Sequence, residues 1–130
     1  MTLHPARPLT FCTYNNILTV FVFTLKLWLN RMRFEWDERK NRQNQQKHGV
    51  SFELAQEAFF DPFCLAISDR VMDDEQRWWT IGRIETLTIL VVVHTLRDEL
   101  GEEVIRIVSA RKATARERRF YEEHEEADDQ

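Results

Sequence analysis

The segment EVIRIVSAR with the lysine that follows it, residues 103–112, carries Arg106, Ser109, Arg111 and Lys112 within a run of β-branched residues, and RWWTIGR, residues 77–83, begins and ends on arginine. Side chains alternate along a strand, so Arg77 and Arg83 are expected on one face. On the later segment the same alternation predicts Ser109 and Arg111 on the face of Ile105 and Ile107, opposite Arg106. Guanidinium forks match phosphate oxygens and stabilise the extra negative charge of a pentacoordinate phosphorus. When the phosphodiester is RNA, its own 2′-hydroxyl is the nucleophile, and the protein need supply only positioning, cations and a proton-transfer group. His94, near the end of LTILVVVHTL, has the side-chain pKa nearest neutrality in that region. Exposed arginines and single histidines also occur on strands for structural reasons, so this pattern names candidate chemistry only.

These residues must be held by a small scaffold. At 130 residues the chain suits one domain. RFEW (33–36) reads as a first strand, and Asp37 caps a helix that runs to His48 with no apolar residue in it. Lys40, Asn44, Lys47 and His48 fall at helical spacing on one face, either a solvated face or one lining a polar site. Gly49 suits the left-handed position that ends a helix. Ser51 is an N-cap for a second, core-facing helix, FELAQEAFF, which the DPF of residues 61–63 breaks. CLAIS, RWWTIGRI, LTILVVVHTL and EVIRIVSAR then predict an antiparallel meander joined by the polar runs DRVMDDEQ and RDELGE, with the apolar LTILVVV covered on both faces. TARE (114–117) forms a capping box for a terminal helix, where Arg118 and Glu122, and Arg119 and Glu123, stand at i,i+4.

The net charge of −4 is unevenly distributed. Residues 1–31 contain three basic residues and no acid, and the last nine contain six acids and no lysine or arginine, so the middle is close to balanced. ILTVFVFTLKLWL (17–29) is shorter than a membrane span and interrupted by Lys26. It admits three readings: an amphipathic extension, an uncleaved anchor, or translation from a start upstream of Met32, which the abrupt change of composition favours. Cys12 and Cys64 imply no disulfide framework and no structural zinc, and a reducing cytoplasm is the expected location. GxSxG, P-loop, HExxH and dinucleotide glycine motifs are absent.

The series FEWDERKNRQNQQKHGVSFELAQEAFFDP, then QRWWTIGR, then IRIVSARKATARERRFYEE, resembles the BrnT family of type II toxins within the wider RelE-like ribonuclease group, over roughly residues 33–123. The resemblance implies a compact α+β domain at 32–123, with two N-terminal helices, a mostly antiparallel sheet of about four to five strands and a C-terminal helix. Residues 1–31 then stand outside it as an extension and 124–130 as an acidic tail. It implies RNA cleavage that blocks translation and arrests growth, without metal or organic cofactor. The implied partner is a BrnA-like ribbon-helix-helix antitoxin, through which the pair reaches operator DNA.

Residues that match the family's motifs are Lys47 and His48 in KHG, Arg77 in RW, and Arg106, Ser109, Arg111 and Lys112 in RIVSARK. Gln76 stands where relatives often carry an acid before Arg–Trp, and Glu75 is the nearest substitute. The resulting expectation is a metal-independent endoribonuclease. Arg77 and Arg111 hold phosphate and stabilise the transition state, while His48 or His94 moves protons. Lys47, Arg83, Arg106 and Lys112 bind RNA, and Ser109 orients a neighbour. The rivals are a catalytically silent co-repressor acting with its antitoxin, and a peripheral membrane protein held by residues 17–29.

Overall fold

A computed structural model describes residues 32–128, so the expectations for residues 1–31 and for Asp129 and Gln130 lie outside the described residues. The chain runs as β1 (Arg33–Glu35), α1 (Glu38–His48), α2 (Phe52–Ala55), a 3-10 helix (Gln56–Phe60), β2 (Leu65–Met72), β3 (Glu75–Arg83), β4 (Ile89–Glu99), β5 (Glu102–Lys112) and α3 (Ala115–Asp128). The sheet order is β1-β5-β4-β3-β2. β2 to β5 form the expected antiparallel meander, whereas β1 joins β5 in parallel, making a mixed five-stranded α+β sheet.

The polar runs are much shorter as connections than their composition implies. Both contract to two-residue turns, Asp73–Asp74 and Leu100–Gly101, with all four residues at positive φ, the geometry whose twist matches that of the flanking strands. β2 therefore extends through Arg70 to Met72, and β4 through Arg97 to Glu99.

Asp37 accepts the amides of Arg39 and Lys40 at the start of α1, and Gly49 ends it at φ 72° with its amide on the Gln45 carbonyl. This helix buries asparagines in place of an apolar stripe. Asn41 Oδ1 accepts the Phe52 amide at 2.8 Å, and its Nδ2 donates to Glu38 and Glu53. Asn44 accepts the Ala110 amide at 3.1 Å and donates to the Ala110 carbonyl at 2.7 Å and the Val50 carbonyl at 2.9 Å. Its side chain thus takes the place of a neighbouring strand on a part of β5 that three-residue β1 does not reach. Lys40 and Lys47 are exposed, so the face expected to unite them with Asn44 is divided between solvent and interior.

The second N-terminal helix is not continuous: Ser51 caps one α turn, and Gln56–Phe60 tightens into the 3-10 form. Its Val50, Phe52, Ala55, Ala58 and Phe59 side pack on Leu90, Val92, Ile105, Ile107 and Ala110, covering the first face of the sheet. Close approach requires Gly82, where a Cβ would sit 2.3 Å from the Ala58 carbonyl oxygen. On the second face, Tyr121 of α3 packs with Ile81, Ile89 and Val91. β4 is central and covered on both faces, as expected.

Asp61 links the two layers. Its carboxylate accepts the Tyr121 hydroxyl, the Arg83 amide at 2.7 Å and the Phe63 amide at 2.9 Å. Burial, followed by the bond to Asp61, pushes the Tyr121 phenol well above its ordinary value. Cys64 is fully buried and disulfide-bonded, although the sequence implied no disulfide framework. Among the described residues no helix is long and apolar enough to cross a membrane.

Replacing Asn44 by Ala removes the partner of three buried backbone groups, the Ala110 amide and the Ala110 and Val50 carbonyls, at about 1–3 kcal/mol each. Urea denaturation of Asn44→Ala is expected to show a clearly lowered midpoint, with Gln43→Ala on the exposed side of the same helix near wild type. Equal midpoints for the two variants would refute the role given to Asn44.

Candidate functional site

The site depends on one irregularity. Val93 pairs with Ser109 but His94 pairs with Ile107, leaving Val108 as an extra residue in β5. A bulge of this kind shifts the alternation of the strand by one. Beyond it, Ile105 and Ile107 point into the first-face core, and Arg106, paired with Thr95, joins Ser109 and Arg111 on the second face. The expectation that Arg106 would oppose Ser109 and Arg111 is therefore corrected, because it assumed an unbroken strand.

β3 is regular, so Arg77 shares the second face with Trp79, Ile81 and Arg83. Across the strands, Arg77 lies next to Thr95 just past the Trp78–His94 pair, Thr95 pairs with Arg106, and Arg106 is in register with Glu35 of β1. Strands are about 4.8 Å apart, which sets the Cα atoms of Arg77 and Arg106 roughly 10 Å apart across Thr95. The adjacent row is Trp79, Val93 and Ser109, and the next is Ile81, Val91 and Arg111, where α3 packs. Thr95 is buried, while Arg77, Trp79, Val93, Arg106 and Ser109 are half-buried.

The arginines on this face differ in how much of their bonding capacity is used. Arg83 binds Glu125 through two nitrogens, at 2.7 and 3.2 Å, and lies 5.1 Å from the Tyr121 ring centroid. Arg111 binds Glu117 through two nitrogens, at 2.7 and 2.9 Å, and lies 5.5 Å from the Trp79 ring centroid. Glu117 also closes the expected capping box with Thr114, and the Arg111 bonds hold its carboxyl down at about 2. Arg106 gives a single 3.3 Å bond to Glu35. Arg77 forms no ion pair among the described residues, and its buried Nε has no partner; neighbouring Glu75 is exposed and does not reach it. A half-buried guanidinium with an unpaired donor is suited to an incoming anion.

Other expected participants lie elsewhere. His94 points into the first-face core, edge-on to Phe59 at 4.9 Å and 2.8 Å from the Thr80 hydroxyl. Burial pushes its pKa down to about 3, so it stays neutral in the core and does not serve as the surface proton carrier. Lys47 and His48 end α1, in the layer over the first face, and the exposed Lys112 pairs with Leu90 on that same face. Arg118 and Arg119 are exposed and, among the described residues, do not close the expected pairs with Glu122 and Glu123. Also among the described residues, no group of three or more His, Cys, Asp or Glu could hold a metal ion.

Sequence reasoning missed Glu35, Thr95 and Trp79 at this site. Trp79 was recoverable, since it alternates with Arg77 on the same strand. Glu35 was not, because its place depends on the parallel pairing of two segments about 70 residues apart.

The depressed Glu117 carboxyl stabilises the fold fully above its ordinary pKa of 4.5, and that contribution is lost as pH falls toward about 2. The denaturation midpoint of wild type is expected to exceed that of Glu117→Gln at pH 7, with the gap closing on acidification. A gap that widens toward pH 3 would contradict the pairing.

Residues 36–117 match the family described as ribonuclease toxin, BrnT, of type II toxin-antitoxin system. No curated protein matches the chain. Among solved structures, the chain is similar to the 1.1 Å crystal structure of the Brucella abortus ribonuclease toxin BrnT, at 27% identity over 64% of this chain and 97% of that one, with a TM-score of 0.41. The family match takes in α1, the whole meander and the Arg111–Glu117 pair, and on it the chain belongs to the BrnT ribonuclease toxins of type II toxin-antitoxin systems.

Proposed function

We infer that this chain is an endoribonuclease of the RelE-like group that grips a single RNA strand on the second face of the sheet. The observation that carries this is the row Arg77, Thr95, Arg106, with one guanidinium unpaired and the other held by a single bond. The 2′-hydroxyl attacks the adjacent phosphorus and the bond to the 5′-oxygen breaks. A 2′,3′-cyclic phosphate and a 5′-hydroxyl result, with the proton lost by the nucleophile balanced by the one gained by the leaving oxygen. Arg77 and Arg106 hold the phosphate and meet its growing charge. Ser109 and Trp79 line the neighbouring row, and Arg111 backs the Trp79 ring.

Positioning and electrostatics carry the rate in this scheme, and the protein contributes no metal. In the cytoplasm the cleavage blocks translation and arrests growth until a BrnA-like ribbon-helix-helix antitoxin covers the toxin.

The test replaces Arg77 and Arg106 together by Ala and leaves Arg111, whose removal would unpair Glu117. The double variant is expected to fold, to retain antitoxin binding and to lose cleavage by about 10²-fold or more. Cleavage at the wild-type rate by the folded variant would remove the assignment, and a wild type that binds antitoxin and operator but cuts no RNA would favour the co-repressor reading. RNA cleavage by wild type is expected to persist in EDTA; its abolition, restored by one divalent ion, would contradict the metal-free scheme.

A further inference from the structure

We propose that Glu35 is a positioning residue for the RNA-binding face: it aims Arg106 at the phosphate without using up the donors that Arg106 needs to bind it. The inference rests on the ribonuclease reading for the identity of the anion, and on the following geometry for the rest.

Glu35 is where three arginines meet. Its carboxylate accepts Arg97 at 2.7 and 3.1 Å, Arg106 at 3.3 Å and Arg33 at 3.4 Å. These bonds, chiefly those from Arg97, hold its carboxyl below the usual range. Two of the three arginines have other carboxylates. Arg97 also binds Glu99 at 2.8 Å, and Arg33 binds Glu99 at 2.7 Å and Glu102 at 3.1 Å. Among the described residues Arg106 pairs with Glu35 alone. Removing Glu35 thus leaves Arg97 and Arg33 anchored and frees only Arg106.

The contrast with Arg111 bears on the same point. Glu117 takes both terminal nitrogens of Arg111, whereas Glu35 takes one of Arg106 through a long bond. Arg106 keeps most of its five donors for a ligand. Arg97 in turn grips Glu35 through two parallel bonds, so the carboxylate that aims Arg106 is itself fixed.

The experiment uses the full chain as wild type, Glu35→Gln, Arg106→Ala and the double variant. Equilibrium binding is read by fluorescence anisotropy with a single-stranded 2′-O-methyl RNA, which lacks the nucleophile, and cleavage is read on the same sequence with its 2′-hydroxyls. Glu35→Gln is expected to weaken binding about tenfold, a ~1.4 kcal/mol coupling, and to add nothing once Arg106 is Ala. Glu35→Asp, which keeps the charge, is expected to recover part of the loss; it also replaces Glu35→Gln in the cycle should that variant not fold. Wild-type binding by folded Glu35→Gln, or an equal loss in the Arg106→Ala background, overturns the proposal. Coupled loss of binding with no cleavage by wild type leaves Glu35 in its role and removes the ribonuclease reading. Cleavage by wild type and by Glu35→Gln at equal rates does the reverse, and a wild type that neither binds nor cleaves overturns both.

Discussion

An extra residue in β5 sets the arrangement of everything around it. Val108 has no partner on β4, and the strand changes face on either side of it. Without this shift, Ile105 and Ile107 would leave the core that Phe52 and Phe59 fill, and Arg106 would point into that core. A single count along one strand therefore satisfies two demands together: an apolar first face under the N-terminal elements, and a polar second face with arginine on it. Asn44 holds the strand just past the bulge, through both backbone groups of Ala110, on the side where three-residue β1 does not reach β5.

Charge on the second face is divided by function. Arg83 and Arg111 are tied to α3 through Glu125 and Glu117, and Arg33 and Arg97, the latter through Glu35, tie β1 to the end of the β4–β5 hairpin. These are structural uses of guanidinium, strongest where two parallel bonds form beside a ring and weak where the pair is solvated. Arg77 and Arg106 remain with capacity to spare. The same residue type thus serves as fastener at some positions of one surface and keeps free donors at others, and the number of carboxylate bonds each makes distinguishes the two.

Much of the fold was legible because its signals are local. Asp37, Ser51, Gly49 and the TARE box mark helix ends through hydrogen bonds a few residues long, and the four meander strands announce themselves by composition. What was hidden depends on pairing across distance. The bulge at Val108 leaves no mark on a run that alternates plausibly either way, and the parallel union of β1 with β5 is invisible from RFEW alone. The burial of Asn41 and Asn44 follows from which backbone groups their neighbours leave unsatisfied. At the site, the arginines were found by type and the shared face of Arg77 and Arg83 by alternation, but the face of Arg106, and the interior position of His94, required the register.

Asp61 sits between the helical layers that cover opposite faces of the sheet, and one carboxylate serves both: Tyr121 comes from α3, while the chain just after the 3-10 helix supplies Asp61 itself. Gly82, one residue before the Arg83 amide that Asp61 accepts, lets that helix descend to contact distance. The two layers consequently share a fastener at the sheet's end, and α3 is not free to peel away as a separate cooperative unit. For a toxin whose terminal helix packs on the same face that carries Arg77 and Arg106, that coupling makes the placing of the helix a property of the whole domain, set as much by the turn behind the sheet as by the helix itself.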